Sequence, residues 1–328
     1  QNPGVFHGIS KFDIKTGKSL STGENFSSVF GSNLCNLASS DKRICAVTAA
    51  MQMGTGLTSF ARMFPNRFFD TGIAEEHAVT FAGGLAAGGR LPVCAIYSTF
   101  LQRGYDQIIH DAAIQRGKVT FAIDRAGIVG EDGETHQGIF DVAFLNTIPN
   151  ITVYAPSYYD ELYADFNDAI YNCKGVSAVR YPRGKQLFKP FDFESKYLYY
   201  DICGDNNAEI CIVTYGRLFS FACKAFSELR DLGIRVKILK LNRIIPIDED
   251  AVKIALNTKK VFFFEEGIQL GGVGEHFGYL LLKNNFRGKY FLRGITNFVP
   301  HATMLQSLHS LGLDDKGMVN MITTECKN

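Results

Sequence analysis

Residues 68–96 read Phe68-Phe69-Asp70-Thr71-Gly72-Ile73-Ala74-Glu75-Glu76-His77-Ala78-Val79-Thr80-Phe81-Ala82-Gly83-Gly84-Leu85-Ala86-Ala87-Gly88-Gly89-Arg90-Leu91-Pro92-Val93-Cys94-Ala95-Ile96. The aromatic pair at 68–69 fits a short strand, 78–89 a helix, and the apolar run 93–96 a second strand. A strand, a helix and a strand in succession point to a parallel sheet covered by helices. The head of that helix is charged. Val79, Phe81 and Leu85 lie among Ala82, Ala86 and Ala87, so the helix is apolar on nearly every face and is expected to be buried, together with its first turn. Glu75 thereby becomes a candidate buried acid, which must be hydrated, paired or chemically useful. The plainer alternative is that Glu75 and Glu76 only complement the positive helix end, at about 0.3–1 kcal/mol each.

Outward from this unit the same alternation continues. Strands are expected at 44–47, 119–123, 151–154 and 178–180, with helices at 57–64, near 100–115 and at 160–171. Between 183 and 207 the sequence turns irregular and polar-aromatic, which reads as a linker with one hairpin. A second alternating unit follows, with strands at 210–214, 236–239, 261–265 and 290–292 and helices between them. The fold class is therefore α/β, two domains, each a mostly parallel sheet covered by helices.

Composition narrows the function classes. Thirty-four basic and 33 acidic residues leave a net charge of +1 among 328 residues. No basic stripe argues for nucleic acid or a membrane surface, and no 18-residue apolar stretch exists. A small molecule or another subunit is the expected partner, and the chain reads as soluble. The eight cysteines, Cys35, Cys45, Cys94, Cys173, Cys203, Cys211, Cys223 and Cys326, form no CxxC pair and read as reduced thiols, several in core strands.

Chemistry-bearing residues gather after the strands of the first unit. The run 95–107 passes from an apolar strand into Tyr97, Ser98, Thr99, Phe100 and Arg103, and strand ends of this kind build sites. The loop 127–138 combines glycines with Asp132 and His136; a turn at Asp132-Gly133 accounts for the glycine but not for the acid and histidine together. Arg125 and Arg183 each follow a strand of one sheet and together suit a phosphate, which guanidinium groups grip through paired hydrogen bonds. Two other stretches are decoys. Gly271-Gly272-Val273-Gly274-Glu275-His276-Phe277-Gly278 has Phe277 where a dinucleotide fingerprint needs its third glycine, and Gly204-Asp205-Asn206-Asn207 lacks the helical context of a metal and diphosphate site and reads as a turn.

Taken together, residues 73–82, 97–103, 124–130, 132–138 and 180–184 closely resemble the 1-deoxy-D-xylulose-5-phosphate synthase family of thiamine-diphosphate enzymes. The resemblance implies four segments: 1–24, the tail of a first, diphosphate-binding domain with a linker; 25–185, a transketolase-like pyrimidine-binding domain; 186–208, a linker; and 209–328, a transketolase C-terminal domain. It implies condensation of pyruvate with D-glyceraldehyde 3-phosphate, with release of CO₂. It also implies thiamine diphosphate and Mg²⁺ as cofactors, with the metal ligands in the first domain rather than in this chain, and a homodimer.

By the same resemblance Glu75 exchanges a proton with the pyrimidine ring of the cofactor, Phe100 stacks on that ring and Arg103 supports the pocket. Tyr97, Arg125 and Arg183 take the acceptor phosphate, while Asp132, His136 and His7 handle the polar ends of the substrates and move protons. Glu76 stands where the family commonly has glutamine, and is expected to point toward a partner. Transketolase and the pyruvate dehydrogenase beta subunit share the glutamate-bearing helix and remain alternatives, as does a catalytically silent half. The drift toward Asn, Tyr and Phe in the linker suggests a plastid-type source such as an apicoplast, with a bacterial cytoplasm the other option.

Overall fold

The computed structural model describes residues 12–18, 23–196 and 199–327. The first sheet carries β1 (Ile44–Thr48), β2 (Phe68–Asp70), β3 (Leu91–Tyr97), β4 (Thr120–Asp124), β5 (Thr152–Tyr154) and β6 (Ser177–Arg180). The second carries β7 (Tyr200–Gly204), β8 (Ile210–Tyr215), β9 (Val236–Leu241), β11 (Lys260–Ile268) and β12 (Lys289–Ile295). One short strand, β10 (Arg243–Ile245), leaves the second domain and joins the first sheet antiparallel to β5. The resulting orders are β10-β5-β6-β4-β3-β1-β2 and β12-β11-β8-β9-β7. All other pairs are parallel except β7 with β9. The two-domain α/β class is thus as the sequence implied.

Central strands β1, β4 and β6 are buried along their whole length, as expected for a parallel sheet covered on both faces. Their covers include α1 (Phe26–Ser40), α2 (Glu75–Ala87) and α3 (Tyr159–Tyr171). In the second domain α4 (Leu218–Asp231), α5 (Glu249–Leu256) and α6 (Val273–Lys283) play this part.

Three expectations change. Helix α2 starts at Glu75 rather than after it, and it is not buried all round: Ala78, Val79, Ala82 and Gly83 face the core, while Glu76, His77, Thr80, Gly84 and Ala87 are exposed. Small apolar residues are as compatible with an open face as with a core, so composition overstated the burial. The helix read near 100–115 is not uniform; it passes through tight turns at Ser98–Leu101 and Gln102–Gly104 and widens into a π-helical stretch at Ile108–Ala113. The stretch 186–208 contains β7, which takes its place in the second sheet.

All eight cysteines are free thiols, and burial pushes those of Cys45 and Cys211 up to about 11 and about 12. No described helix is long and apolar enough to cross a membrane.

Both decoys have structural explanations. At Gly271–Gly274 the start of α6 is already occupied by the protein's own carboxylate: Glu265 accepts hydrogen bonds from Val273 N at 3.0 Å and Gly274 N at 3.2 Å, and from the Tyr215 hydroxyl at 3.1 Å. A Cβ at Gly272 would come within 2.6 Å of Glu265 Oε1, so the glycine is required by this internal cap. The first two donors of the helix, which an external phosphate would need, are thus spent on this carboxylate. At Asp205 the side chain accepts from Asn207 N at 2.9 Å and pairs with Arg235 at 2.5 Å, which is a turn.

Burial pushes the Glu265 carboxyl from 4.5 up to about 8, against these donors. Between those values the folded chain holds a proton that the unfolded chain has released, so this group's contribution to stability is lost as pH rises through about 8. Denaturant unfolding of wild type and Glu265→Gln from about pH 5 to about 8.5 should show a shallower fall for the variant. Identical slopes would refute the assignment.

Candidate functional site at the strand ends

Glu75, the first residue of α2, is 2% exposed. Its Oε1 accepts a hydrogen bond from Arg103 Nη1 at 2.9 Å. The Arg103 side chain is 51% exposed, so a single guanidinium ties the buried carboxylate to the open surface. Complementing the helix end is therefore not the only task Glu75 performs. Glu76, one residue on, is exposed and solvated.

The end of β3 supplies the next groups. Because the chain turns into a helical turn directly after Tyr97, the side chains of Tyr97, Phe100 and Arg103 emerge beside one another. Phe100 stacks on Tyr97 at a centroid distance of 5.8 Å and meets His136 edge-on at 5.3 Å, with Arg103 Cζ 5.2 Å from its centroid. Arg125 Cζ lies 3.7 Å from the centroid of Tyr97, a cation–π contact worth about 0.5–2 kcal/mol. Thr99 Oγ1 donates to Thr135 O at 2.9 Å, and Thr135 Oγ1 lies 2.9 Å from His136 Nδ1.

At the end of β4, Arg125 takes a left-handed backbone conformation with φ +60°. A non-glycine residue stays there only where its surroundings enforce it. Its Nη1 donates to Gly54 O at 3.0 Å and to Asp124 Oδ1 at 3.3 Å. Asp124 is fully buried, and burial pushes its carboxyl up to about 6, opposed chiefly by Arg125 and also by the Ser27 hydroxyl.

Asp132 faces both arginines, with Oδ2 3.7 Å from Arg125 Nε and Oδ1 3.3 Å from Arg183 Nη1. Arg183 Nη1 also donates to Val129 O at 3.3 Å. Arg125 and Arg183 line one cleft of about 820 Å³, shared with Ser27, Gly54, Lys185 and Met304. Lys185 and Arg217 line the cleft as well, with Asp124 and Asp132 against Arg125, Asp132 against Arg183 and Glu266 against Arg217, and a wall so rich in cationic side chains suits an anion.

Eight of the nine candidate residues thus form one connected set: Glu75, Arg103, Phe100, Tyr97, His136, Arg125, Asp132 and Arg183. His7 lies outside the described residues. The set offers a buried carboxylate beside an exposed aromatic edge at one end and a cationic cleft at the other. A basic heteroaromatic ring fits the first, needing an acid for its nitrogen and an aromatic face to stack on; a phosphate fits the second. Among the described residues no group of three or more His, Cys, Asp or Glu is arranged to hold a metal ion.

Two buried ion pairs that the sequence pattern does not mark adjoin the site, the second with Arg217 on the wall of the cleft. Arg180 donates to both oxygens of Asp141, at 2.9 and 3.2 Å, beneath β6. Arg217 pairs with Glu266 in the second domain, and Glu266 Oε1 accepts from Ile128 N at 2.6 Å. Arg217 and Glu266 are 49 residues apart, with no spacing signal to connect them. A charged residue near the end of an apolar strand is the one hint: Arg180 closes β6, Arg217 follows β8 by two residues and Glu266 lies two residues before the end of β11.

Comparison with known proteins gives this geometry a family. Residues 24–187 match the family described as transketolase, pyrimidine binding domain, and residues 203–318 match transketolase, C-terminal domain. Relatives named 1-deoxy-D-xylulose-5-phosphate synthase include one from Lachnoclostridium phytofermentans, 41% identical over 98% of this chain and 52% of its own length. Another, from Clostridium kluyveri, is 46% identical over 84% of this chain and 44% of its own length. The chain therefore spans about half the length of the curated relatives it matches.

Solved structures similar to it include one described as split gene transketolase, inactive beta4 tetramer, with a TM-score of 0.81 and 23% identity, covering 92% of this chain and 98% of that one. The transketolase of Campylobacter jejuni superposes with a TM-score of 0.77 at 20% identity, over 91% of this chain and 46% of that one; at these identities the likeness speaks for the fold. With two sheets of this order, a glutamate-headed helix against the strand-end cleft and both domain matches in sequence order, the chain belongs to the transketolase family, of which it carries the pyrimidine-binding and C-terminal domains.

Proposed function

We propose that this chain is the pyrimidine-binding and C-terminal part of a 1-deoxy-D-xylulose-5-phosphate synthase, which joins pyruvate to D-glyceraldehyde 3-phosphate with loss of CO₂. The observation that carries this is the continuity of the site: a buried acid at Glu75 and a two-arginine cleft at Arg125 and Arg183, linked through Arg103, Phe100 and Tyr97. Its bacterial relatives bearing that name, about 40% identical along nearly the whole chain, support the same substrates. Thiamine diphosphate, when bound, supplies the nucleophilic carbon and the electron sink that no side chain of the protein provides.

The chain's own residues do the rest. Glu75 holds a proton relation with a ring nitrogen of the cofactor, and its burial keeps water from competing for that bond. Phe100 offers the ring face, and Arg103 fixes the Glu75 carboxylate from the open side. Arg125 and Arg183 hold the acceptor phosphate, with Tyr97 packed under Arg125 to orient the guanidinium. Asp132 and His136, on the loop 127–138, stand beside the reacting ends of the substrates, His136 moving protons and Asp132 balancing the two arginines. Mg²⁺ and the diphosphate belong to residues of a first domain in this proposal. The enzyme is a homodimer in this proposal, and the open face of α2, with Glu76, His77, Thr80, Gly84 and Ala87, is the surface assigned to the second copy.

The decisive experiment uses the full-length enzyme with pyruvate and D-glyceraldehyde 3-phosphate. 1-Deoxy-D-xylulose 5-phosphate and CO₂ are the expected products; xylulose 5-phosphate formed only from a ketose donor would instead make it a transketolase. Glu75→Ala should lower kcat by about 10²–10⁴-fold, whereas activity within twofold of wild type would mean that the site is silent. Arg125→Ala and Arg183→Ala should each raise KM for the phosphorylated acceptor at least about tenfold while leaving KM for pyruvate within about twofold. An equal rise in both KM values would contradict the assignment of the arginines.

A further inference from the structure

The loop 127–138 carries Asp132 and His136, yet its conformation is set from the other domain. Ile128 is fully buried, and its peptide groups are gripped at both ends: its N–H donates to Glu266 Oε1 at 2.6 Å, and its carbonyl accepts from Arg217 Nη2. Arg217 and Glu266 grip each other as well, Nε donating to Oε2 at 2.8 Å and to Oε1 at 3.1 Å. Each is 5% exposed. The loop is shaped to receive this pair. Gly127 has φ +81°, and a Cβ there would lie 2.5 Å from the Glu266 carboxyl carbon. Gly130 has φ +67°, and a Cβ there would lie 2.7 Å from Met304 N, at the start of another second-domain helix, Met304–Ser310.

Two further contacts close the loop: Gly127 and Gly138 exchange hydrogen bonds of 2.6 and 2.8 Å, and Val129 N donates to Gln137 Oε1 at 2.9 Å. Three residues separate the gripped Ile128 from Asp132, and Val129, one of them, gives its carbonyl to Arg183. A shift at Ile128 therefore moves Asp132 and relaxes Arg183 together.

We propose that Arg217 and Glu266 are positioning residues for the site, a buried ion pair of the C-terminal domain that clamps the Ile128 peptide and so fixes Asp132, His136 and the phosphate-holding arginines. The consequence for acceptor binding rests on the synthase assignment; the clamping of the loop does not. A pair that merely stabilised the fold would spread its effect over the whole chain. A clamp acts on one loop and on one substrate.

The test uses the full-length enzyme with Glu266→Ala, Glu266→Gln and the double variant Arg217→Met/Glu266→Leu. The double variant removes both charges at once, so that neither is left buried alone, a change often tolerated by folds. Amide hydrogen exchange should accelerate at least about tenfold across 128–138 in Glu266→Ala and in the double variant, while α2 keeps its wild-type protection. KM for the phosphorylated acceptor should rise at least about tenfold, with KM for pyruvate within about twofold. Glu266→Gln, which keeps an oxygen for the Ile128 N–H, should recover much of both. Loop protection and acceptor KM unchanged in the folded double variant would overturn the proposal. Should the wild type not act on pyruvate and D-glyceraldehyde 3-phosphate at all, the synthase assignment fails while the exchange measurement still decides the clamp.

Discussion

The seam between the two sheets is the constraint on which the rest of the structure depends. Strand β10 crosses it to pair with β5, and backbone bonds follow, Ala155 N to Asn242 O at 2.8 Å and Ile268 N to Ile139 O at 2.8 Å. Ionic groups are sealed in the same plane. Lys240, wholly buried on β9, lies 3.0 Å from Glu161 on α3 and 3.8 Å from Asp201. Arg180 on β6, already paired with Asp141, lies against the Tyr215 ring of β8, whose hydroxyl reaches Glu265. Buried ion pairs add little net stability compared with well-packed apolar groups, but losing one partner costs about 3–5 kcal/mol. They act as locks: the domains meet in one register, because any other leaves charges buried alone.

That register explains why a site formed almost wholly by first-domain side chains still needs the second domain. Glu75, Tyr97, Phe100 and Arg103 sit on elements that the first sheet holds by itself. Asp132 and His136 sit on a loop with three glycines at positive φ, Gly127, Gly130 and Gly133, and one bridge of its own. Ile128 and Val129 bury their side chains, and the peptide groups of Ile128 are held by polar groups outside the loop, at Glu266 and Arg217.

What was legible in the sequence follows the same division. The sheets were readable because buried parallel strands are short apolar runs, as at 93–96 and 261–265, and because the helices between them are long enough to cross over. The exposed side of α2 was not, since Gly84 and Ala87 look the same in a core and on an open face. Strand β10 was hidden for a related reason: Arg243–Ile245 is only three residues long, and its pairing is with a segment some 90 residues away in the chain (154 against 243). Among the site residues, the six on strand ends or the helix head could be grouped from the pattern, because parallel strands deliver their carboxyl ends to one edge. The buried partners Asp141, Arg217 and Glu266 could not, since nothing in a one-dimensional pattern says which charges meet across a seam.

The shared position of Asp132 bears on what the cleft selects. Arg125 and Arg183 share Asp132, and without it the cleft would hold two like charges near each other, at a cost that rises as water is excluded. Asp132 offsets that repulsion by facing both guanidiniums, and Asp124 adds a second carboxylate against Arg125. A neutral group entering the cleft would gain nothing from the guanidinium charges. A dianionic phosphate gains from both arginines and meets Asp132 as a like charge, so it must take over the guanidinium contacts that the carboxylate now makes. Asp132 is free to leave only as far as its loop allows, and the loop is anchored at Ile128 from the second domain. Affinity for the anion and the position of the acid are thereby coupled through one short segment, which places the specificity of the cleft in the seam as much as in the arginines themselves.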